Sequence, residues 1–167
     1  KKKNKLKVKL FEKIVFVYYI SGPSGIGKTQ YAKKLIGDND FCLVQYNNGF
    51  WTGIADTEYC LYDDWRDSHM KPSEFINFID YNVHVMNVKG SHVHNNFKYI
   101  IITSIMALGD IYKNVQNESR YQWERRCKEI KLSIVYNDEL SKKIKNLFYK
   151  VDKLIKSIIN YKLFNYK

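Results

Sequence analysis

The sequence predicts an α/β fold in which a parallel sheet is flanked by helices. Short apolar runs rich in β-branched and aromatic residues alternate with segments of helical periodicity, which is typical of strands joined by helical crossovers. A glycine-rich stretch follows the first of these runs directly, at residues 22–27. The length of 167 residues, with 45% apolar and 16% aromatic residues, suits one folded domain with a tail and excludes a large multidomain enzyme.

The first half of the chain begins with a strand that should be buried on both faces. Ile14–Ile20 is a β-branched and aromatic run that stops at glycine. A helix is predicted over Thr29–Ile36, and Gly37 ends it. The three elements that follow are predicted as a strand, a loop and a second buried strand: Phe41–Tyr46, Asn47–Asp56 and Glu58–Tyr62.

The second half continues the alternation and adds a hairpin. Pro72 is well placed to open a helix that runs through about Tyr81, because proline suits the first turn. Val83–Val88 and His92–Phe97 flank the turn residues Lys89-Gly90-Ser91, which predicts a β-hairpin. The last three elements are predicted as a buried strand, a helix and a final strand: Tyr99–Thr103, Glu118–Cys127 and Ile130–Val135.

Charge and periodicity divide the chain into three regions. Residues 1–13 are predicted as a basic linker from an upstream domain, 14–136 as the folded domain, and 137–167 as a Lys-rich amphipathic helical tail. The net charge of +11 is concentrated at the two ends, which suits either polyanion binding or a solubilising role. Apolar residues of the tail recur at steps of three and four, as in a helix that packs on the domain or in an oligomer contact.

Cysteine usage and hydropathy indicate a reducing, intracellular setting. Cys42, Cys60 and Cys127 are widely spaced and form no C-x-x-C pair, so neither a disulfide framework nor a zinc knuckle is predicted. The longest apolar run, at 14–20, is far shorter than the roughly 20 residues that a membrane-spanning helix needs. We therefore expect no membrane partner.

The chemistry-bearing motif lies between the first strand and the first helix. Its residues match the pattern G-x-x-x-x-G-K-[ST], the phosphate-binding P-loop: Gly22, Pro23, Ser24, Gly25, Ile26, Gly27, Lys28 and Thr29. Such a loop turns its N–H groups toward phosphate oxygens at a helix N-terminus. We therefore expect ATP or GTP to bind here, with Lys28 at the β- and γ-phosphates and Thr29 on Mg²⁺.

A pair of acids supplies the second half of a nucleotide site. Asp63 and Asp64 emerge at the carboxyl end of the predicted strand over Glu58–Tyr62, 35 residues past Lys28 for the first of them. Ligands of open parallel sheets bind at this edge. Asp63 is expected to hold Mg²⁺, mainly through water, and Asp64 to polarise an attacking water, so hydrolysis is favoured over transfer to another acceptor.

Five motifs in order resemble one viral family. They are Asn47-Asn48-Gly49-Phe50-Trp51, the stretch 62–82 that begins Tyr62-Asp63-Asp64-Trp65-Arg66, Asn87-Val88-Lys89-Gly90, Ile100-Ile101-Ile102-Thr103-Ser104, and the P-loop itself. Over about residues 14–135 the chain resembles the superfamily 3 helicase domain of the replication-associated (Rep) proteins of circular single-stranded DNA viruses. The stretch 62–82 is most similar to smacovirus-like and circovirus-like Reps.

The resemblance implies a P-loop NTPase fold of the AAA+ type and further residue roles. Lys89, at the hairpin tip, would contact the DNA backbone. Independently of the resemblance, His92 is expected to touch DNA phosphates as a strand residue of the same hairpin. Thr103-Ser104 would form the sensor strand beside the γ-phosphate, with Ser104 as a nucleotide contact. Arg125 and Arg126 would offer an arginine finger to the neighbouring subunit.

Two features depart from the simplest version of this pattern. Ile105 stands where the superfamily usually has an asparagine that positions the attacking water. His92-Val93-His94 matches the metal motif of the Rep nuclease, but it follows the P-loop, whereas the nuclease of relatives precedes it. These histidines are therefore interpreted as hairpin residues.

The function implied by the resemblance is an ATP-dependent, Mg²⁺-requiring replicative helicase. It would assemble as a ring, as a hexamer in the first instance, and move along single-stranded DNA during rolling-circle replication, in the host nucleus if the host is eukaryotic. Three alternatives stay open: an RNA helicase of the picorna-like virus type, an inactive nucleotide-binding fragment, and a small P-loop kinase.

Overall fold

The computed structural model describes residues 13–116 and 119–133, together with Lys143 and Lys153. The chain divides into two units, and the described residues other than these two lysines lie in the unit Lys1–Val135. The predicted linker, apart from residue 13, and the predicted tail, apart from the two lysines, lie outside the described residues.

The described residues form nine strands and three α-helices. In chain order these are β1 (Phe16–Ser21), α1 (Lys28–Ile36), β2 (Phe41–Leu43), β3 (Gln45–Asn47), β4 (Phe50–Thr52), β5 (Tyr59–Tyr62), α2 (Pro72–Ile79), β6 (Val85–Val88), β7 (Ser91–His94), β8 (Tyr99–Ser104), α3 (Tyr121–Glu124) and β9 (Cys127–Lys131). Short 3₁₀ turns lie at Asp67–His69 and Leu108–Asp110.

Five parallel strands form the central sheet, in the order β2-β5-β8-β1-β9. The central strands β1 and β8 are apolar along nearly their whole length, as expected for strands covered on both faces. Because all five strands run the same way, the residues that follow β1, β5 and β8 meet at one edge. The predicted α/β fold with a parallel sheet and flanking helices is confirmed.

Each face of the sheet has its own apolar layer. Helix α1 packs Ala32 and Ile36 against strand residues of one face, where Ile20, Leu61 and Ile101 are buried. The opposite face carries the larger core, in which α2 and three tryptophans are buried: Trp51, Trp65 and Trp123. The two layers hold the strands in place and thereby fix the loops at the carboxyl edge.

A second, four-stranded sheet has the order β3-β4-β6-β7. Its β6–β7 half is the predicted hairpin, with Lys89 and Gly90 at the tip. Its β3–β4 half was not predicted, since Phe41–Tyr46 was expected to be one strand and Asn47–Asp56 a loop. The chain instead leaves the central sheet at Val44 and turns at Asn48-Gly49, whose φ angles of 50° and 84° suit a tight hairpin.

The region before the last strand also differs from the prediction. A helix was expected over Glu118–Cys127, but α3 is a single turn over Tyr121–Glu124. The last strand was expected over Ile130–Val135, whereas β9 already begins at Cys127 because Cys127 pairs in register with Val17 of β1. Strand pairing therefore overrides the helical pattern of the sequence here. Within the described part of the chain, no helix is long and apolar enough to cross a membrane.

Candidate active site

The glycine-rich loop connects the central strand to the first helix. β1 ends at Ser21, and Gly27 caps α1 in a left-handed conformation with φ 93°. The loop is tied to both neighbouring strands, since Gly22 N donates to Ser104 O at 3.2 Å and Leu132 N donates to Ser21 O at 2.8 Å. The predicted P-loop thus lies at the carboxyl edge of the sheet.

Lys28 is buried inside this loop. Its Nζ donates to the carbonyl oxygens of Gly22 and Pro23, at 2.8 and 2.7 Å. Burial lowers the pKa of Lys28, and the nearby Asp64 carboxylate opposes that shift. The ammonium is therefore held by two backbone oxygens of the glycine-rich loop.

Asp63 accepts hydrogen bonds from hydroxyl groups of two other elements. Thr29 Oγ1 donates to Asp63 Oδ1 at 2.9 Å, and Thr103 Oγ1 donates to the same oxygen at 2.6 Å. Thr103 Oγ1 in turn accepts a hydrogen bond from Asp64 N at 2.8 Å, and Asp64 adopts φ 56°. The end of β8 therefore fixes both acids in front of the loop.

These groups enclose a polar cavity of about 430 Å³. Its lining consists of Ser24, Gly25, Gly27, Lys28, Thr29, Gln30, Asp63, Asp64 and Thr103. An ammonium, a hydroxyl and two carboxylates fit a Mg²⁺–nucleotide, because Mg²⁺ prefers oxygen ligands and the ammonium complements phosphate. A second cavity of about 510 Å³ shares both acids with the first, and Asn47, Asn48 and His69 contribute to its wall.

Comparison with known proteins agrees with this geometry. The sequence profile described as RNA helicase matches residues 18–106, which is more than half of the chain. The chain belongs to the RNA helicase family. The matched range runs from β1 to the residues just after β8, so it includes the P-loop, both acids and Thr103.

Two curated relatives of this helicase-family chain are replication proteins. The replication protein of Onion yellows phytoplasma (strain OY-M) is 29% identical over 125 residues, which cover 71% of this chain and 33% of the relative. The replication-associated protein of canary circovirus is 31% identical over 88 residues, which cover 53% of this chain and 29% of the relative. The match thus spans about a third of the length of these relatives. The resemblance to the Rep helicase domain is confirmed.

Of the two residues expected on the sensor strand, only Thr103 reaches the cavity. Ser104 is buried on the other face of β8, where its Oγ donates to Trp65 O at 2.8 Å and accepts from Met106 N at 3.1 Å. This placement corrects the expectation that Ser104 contacts the nucleotide, and alternation along the strand is the reason. Ile105 is 48% exposed and makes no part of the cavity wall.

Lys89 and His92 of the helicase-family hairpin lie where they were expected. Lys89 is exposed at the tip, and His92 is exposed opposite Asn87 on β6. Val85 and His94 share this outer face, while Met86 on the alternate face is buried in the core. The hairpin therefore presents Asn87, two histidines, one valine and Lys89 to solvent.

The two arginines expected to form a finger have different surroundings. Arg126 packs against the buried Asp80, and its Nε and Nη2 donate to Asp80 Oδ1 at 3.2 and 3.0 Å. Its guanidinium also lies 5.2 Å from the Tyr81 ring. Arg126 therefore stabilises the fold and is not free to reach a neighbouring subunit. Arg125 is exposed. Both precede Cys127, which pairs with Val17, so they lie at the amino edge of the sheet, opposite the cavity.

Two residues near the site had no role assigned from the sequence. Gln30 lines the cavity directly after Thr29. Arg66 contacts Asp64 through an ion pair of 2.7 Å. Its place two residues after the acid pair was the signal that could have drawn attention to it.

Proposed function

We propose that this chain is the ATP-dependent helicase module of a viral Rep protein and that it moves along single-stranded DNA. The observation that supports this most directly is the convergence of Lys28, Thr29, Asp63, Asp64 and Thr103 on one cavity. Membership in a helicase family and similarity to two replication proteins support the class of activity.

Each residue of the site has a chemical task in this proposal. Lys28 would exchange its two backbone carbonyl partners for phosphate oxygens, and Thr29 and Asp63 would hold Mg²⁺. Bound Mg²⁺ neutralises charge on the phosphates. Asp64, fixed by Thr103, orients and polarises the attacking water, so that ATP is hydrolysed to ADP and inorganic phosphate.

The β6–β7 hairpin is the proposed contact to nucleic acid. Lys89 would pair with the phosphate backbone, which requires no particular base sequence, and His92 lies on the same exposed arm. Arg125 keeps its proposed role as a finger toward a neighbouring subunit. The proposal extends to a ring of subunits, a hexamer in the first instance, and to the nucleus of a eukaryotic host.

RNA is the second candidate substrate, and one observation favours it. The family to which the chain belongs is described as RNA helicase. A lysine on a hairpin tip pairs with the phosphates of either polymer, so this contact does not discriminate between DNA and RNA. Competition between single-stranded DNA and RNA for the stimulated ATPase distinguishes the two candidates.

ATP turnover with and without single-stranded DNA tests the proposal. Wild type should release phosphate from ATP, faster when DNA is present. Lys28→Ala should lose turnover under both conditions, and Lys89→Ala should keep the basal rate but lose the stimulation. Turnover that is unchanged in Lys28→Ala would contradict the proposed site, and bound nucleotide without any turnover would favour an inactive binding protein.

A further inference from the structure

Arg66 lies beside the acid pair and uses only part of its guanidinium. Its Nη1 contacts Asp64 Oδ1 at 2.7 Å and donates to the carbonyl oxygens of Asp64 and Trp65 at 3.3 and 3.1 Å. A guanidinium carries five N–H donors on three nitrogens. Among the described residues, no partner is recorded for Nε or Nη2, so that edge of the fork is available to an anion.

The backbone that carries Arg66 is firmly anchored. Trp65 N donates to Thr103 O at 2.8 Å, and the Trp65 side chain is fully buried. Asp64 N is bonded to the Thr103 hydroxyl at 2.8 Å, in a left-handed conformation that is uncommon outside glycine. The turn after β5 is thus fixed, and the Arg66 side chain is the part that can reorient.

The ion pair between Arg66 and Asp64 is open to solvent. The Asp64 side chain is 69% exposed and that of Arg66 is 26% exposed. Exposed ion pairs contribute little free energy, so a more highly charged anion can replace the carboxylate. Arg66 lies next to the cavity, because its partner Asp64 is part of the cavity lining.

The other arginines of the chain are less well placed. Arg126 is committed to Asp80, and Arg125 lies at the opposite edge of the sheet. Arg120 donates to the carbonyl oxygens of Gly109 and Ile111. Arg66 is therefore the arginine of this chain that contacts an acid of the candidate nucleotide site, Asp64.

We propose that Arg66 binds the terminal phosphate of a nucleoside triphosphate in its own subunit and leaves Asp64 when it does so. The inference rests on the proposed function, which supplies the nucleotide. A diphosphate lacks the group that attracts Arg66, so Asp64 stays paired. A triphosphate draws the guanidinium away and frees the Asp64 carboxylate to orient water. Arginine in cis stabilises phosphate charge in the same way in other phosphoryl-transfer enzymes.

Binding affinities for two nucleotides test the inference without relying on turnover. Dissociation constants for ADP and for a non-hydrolysable ATP analogue, both with Mg²⁺, are measured by calorimetry for wild type, Arg66→Gln, Arg66→Lys and the control Lys33→Gln, which removes an exposed positive charge from α1. Arg66→Gln should weaken the analogue about tenfold or more, as expected for a charged hydrogen bond, and change ADP less than twofold. Arg66→Lys should recover part of the loss, and Lys33→Gln should bind both nucleotides as wild type does.

The outcomes separate this inference from the proposed function. Equal losses of affinity for both nucleotides, or no loss for either, would show that Arg66 only stabilises the turn after β5. The proposed function would still stand. Wild type that binds neither nucleotide would overturn both.

Mixing Arg66→Gln with Lys28→Ala subunits tests the action in cis. The ATPase rate should not recover, since each subunit then has a defective site of its own. Recovery would show that Arg66 acts on a neighbouring subunit and would contradict the inference.

Discussion

Thr103 is the residue that couples the two acids to the sheet. Its hydroxyl donates to Asp63 and accepts from the backbone of Asp64, so one oxygen fixes a carboxylate and the following turn. The neighbouring Ser104 has equally good hydrogen bonds, but they stabilise the buried core around Trp65. Two adjacent hydroxyl residues therefore have separate tasks, because strand residues alternate between faces.

Thr103→Val tests this division at the residue scale. Valine keeps the shape but removes both hydrogen bonds, and a loss of about 1.5 kcal/mol in positioning corresponds to ~10-fold in rate. We expect the ATPase rate constant to fall by that order while nucleotide affinity changes little. Thr103→Ser should retain most of the rate, since it keeps the hydroxyl.

The matched change in the core is Ser104→Ala. It leaves the buried carbonyl of Trp65 without its donor, so the free energy of unfolding in urea should fall by about 1–3 kcal/mol. A larger effect of Ser104→Ala than of Thr103→Val on the rate constant would contradict this assignment.

At the scale of elements, the unpredicted β3–β4 hairpin carries the wall of the second cavity. Its turn residues Asn48 and Gly49 both have positive φ, and Gly53 follows β4 with φ 76°. The surroundings of the two glycines differ. A Cβ on Gly49 would meet no atom within 4 Å, whereas a Cβ on Gly53 would lie 1.9 Å from Leu43 O.

Alanine substitutions at these two glycines should therefore lower the free energy of unfolding by different amounts. Gly49→Ala adds only left-handed strain, about 1–2 kcal/mol. Gly53→Ala adds the same strain and also displaces the backbone of Leu43 at the edge strand β2, so we expect roughly 3 kcal/mol or more. Urea unfolding of the two variants measures the difference, and equal costs would mean that the approach of Gly53 to β2 is relaxed in solution.

At the scale of the whole folded unit, one buried ion pair connects distant elements. Asp80 follows α2, and Arg126 precedes β9; their side chains are 8% and 11% exposed. His84 Nε2 lies 2.9 Å from the second Asp80 oxygen, and Lys13 holds Asn95 nearby through two hydrogen bonds. Burial alone would raise the pKa of Asp80, but the hydrogen bonds from His84 and Arg126 outweigh it and lower the pKa.

Arg126→Met should therefore lower the free energy of unfolding more near neutral pH than in acid. Removing one partner leaves a buried carboxylate without its charge partner, which typically costs about 3–5 kcal/mol. Because the folded pKa of Asp80 is below its usual value of 3.8, the stabilisation is complete above that pH and is lost as the pH falls through the folded value.

Urea unfolding of wild type and Arg126→Met from pH 7 to pH 2 measures both effects. The difference in free energy of unfolding should be largest near pH 7 and shrink as the pH falls, because Asp80 takes up a proton at a higher pH in Arg126→Met than in wild type. A difference that grows as the pH falls would contradict the assigned ion pair. Retained nucleotide affinity in Arg126→Met would agree with a structural role for Arg126.

Much of the central sheet and the nucleotide site could be predicted because their signals are local. Ile14–Ile20 is continuous in apolar character, and the P-loop pattern is contiguous in the sequence, so neither depends on what the rest of the chain does. Asp63 was found in the same way, at the end of a short buried strand. The β6–β7 hairpin was found from its turn residues Lys89-Gly90.

The alternation of strands and helices, the P-loop and the acid pair follow from local patterns in the sequence. The break of the strand over Phe41–Tyr46 at Val44 and the start of β9 at Cys127 depend on the folded chain, because distant partners set strand pairing. The same is true of the placement of Thr103 at the cavity, of Arg126 against Asp80 and of Arg66 against Asp64. Residues far apart in the chain make these contacts, and no local pattern encodes which of them meet.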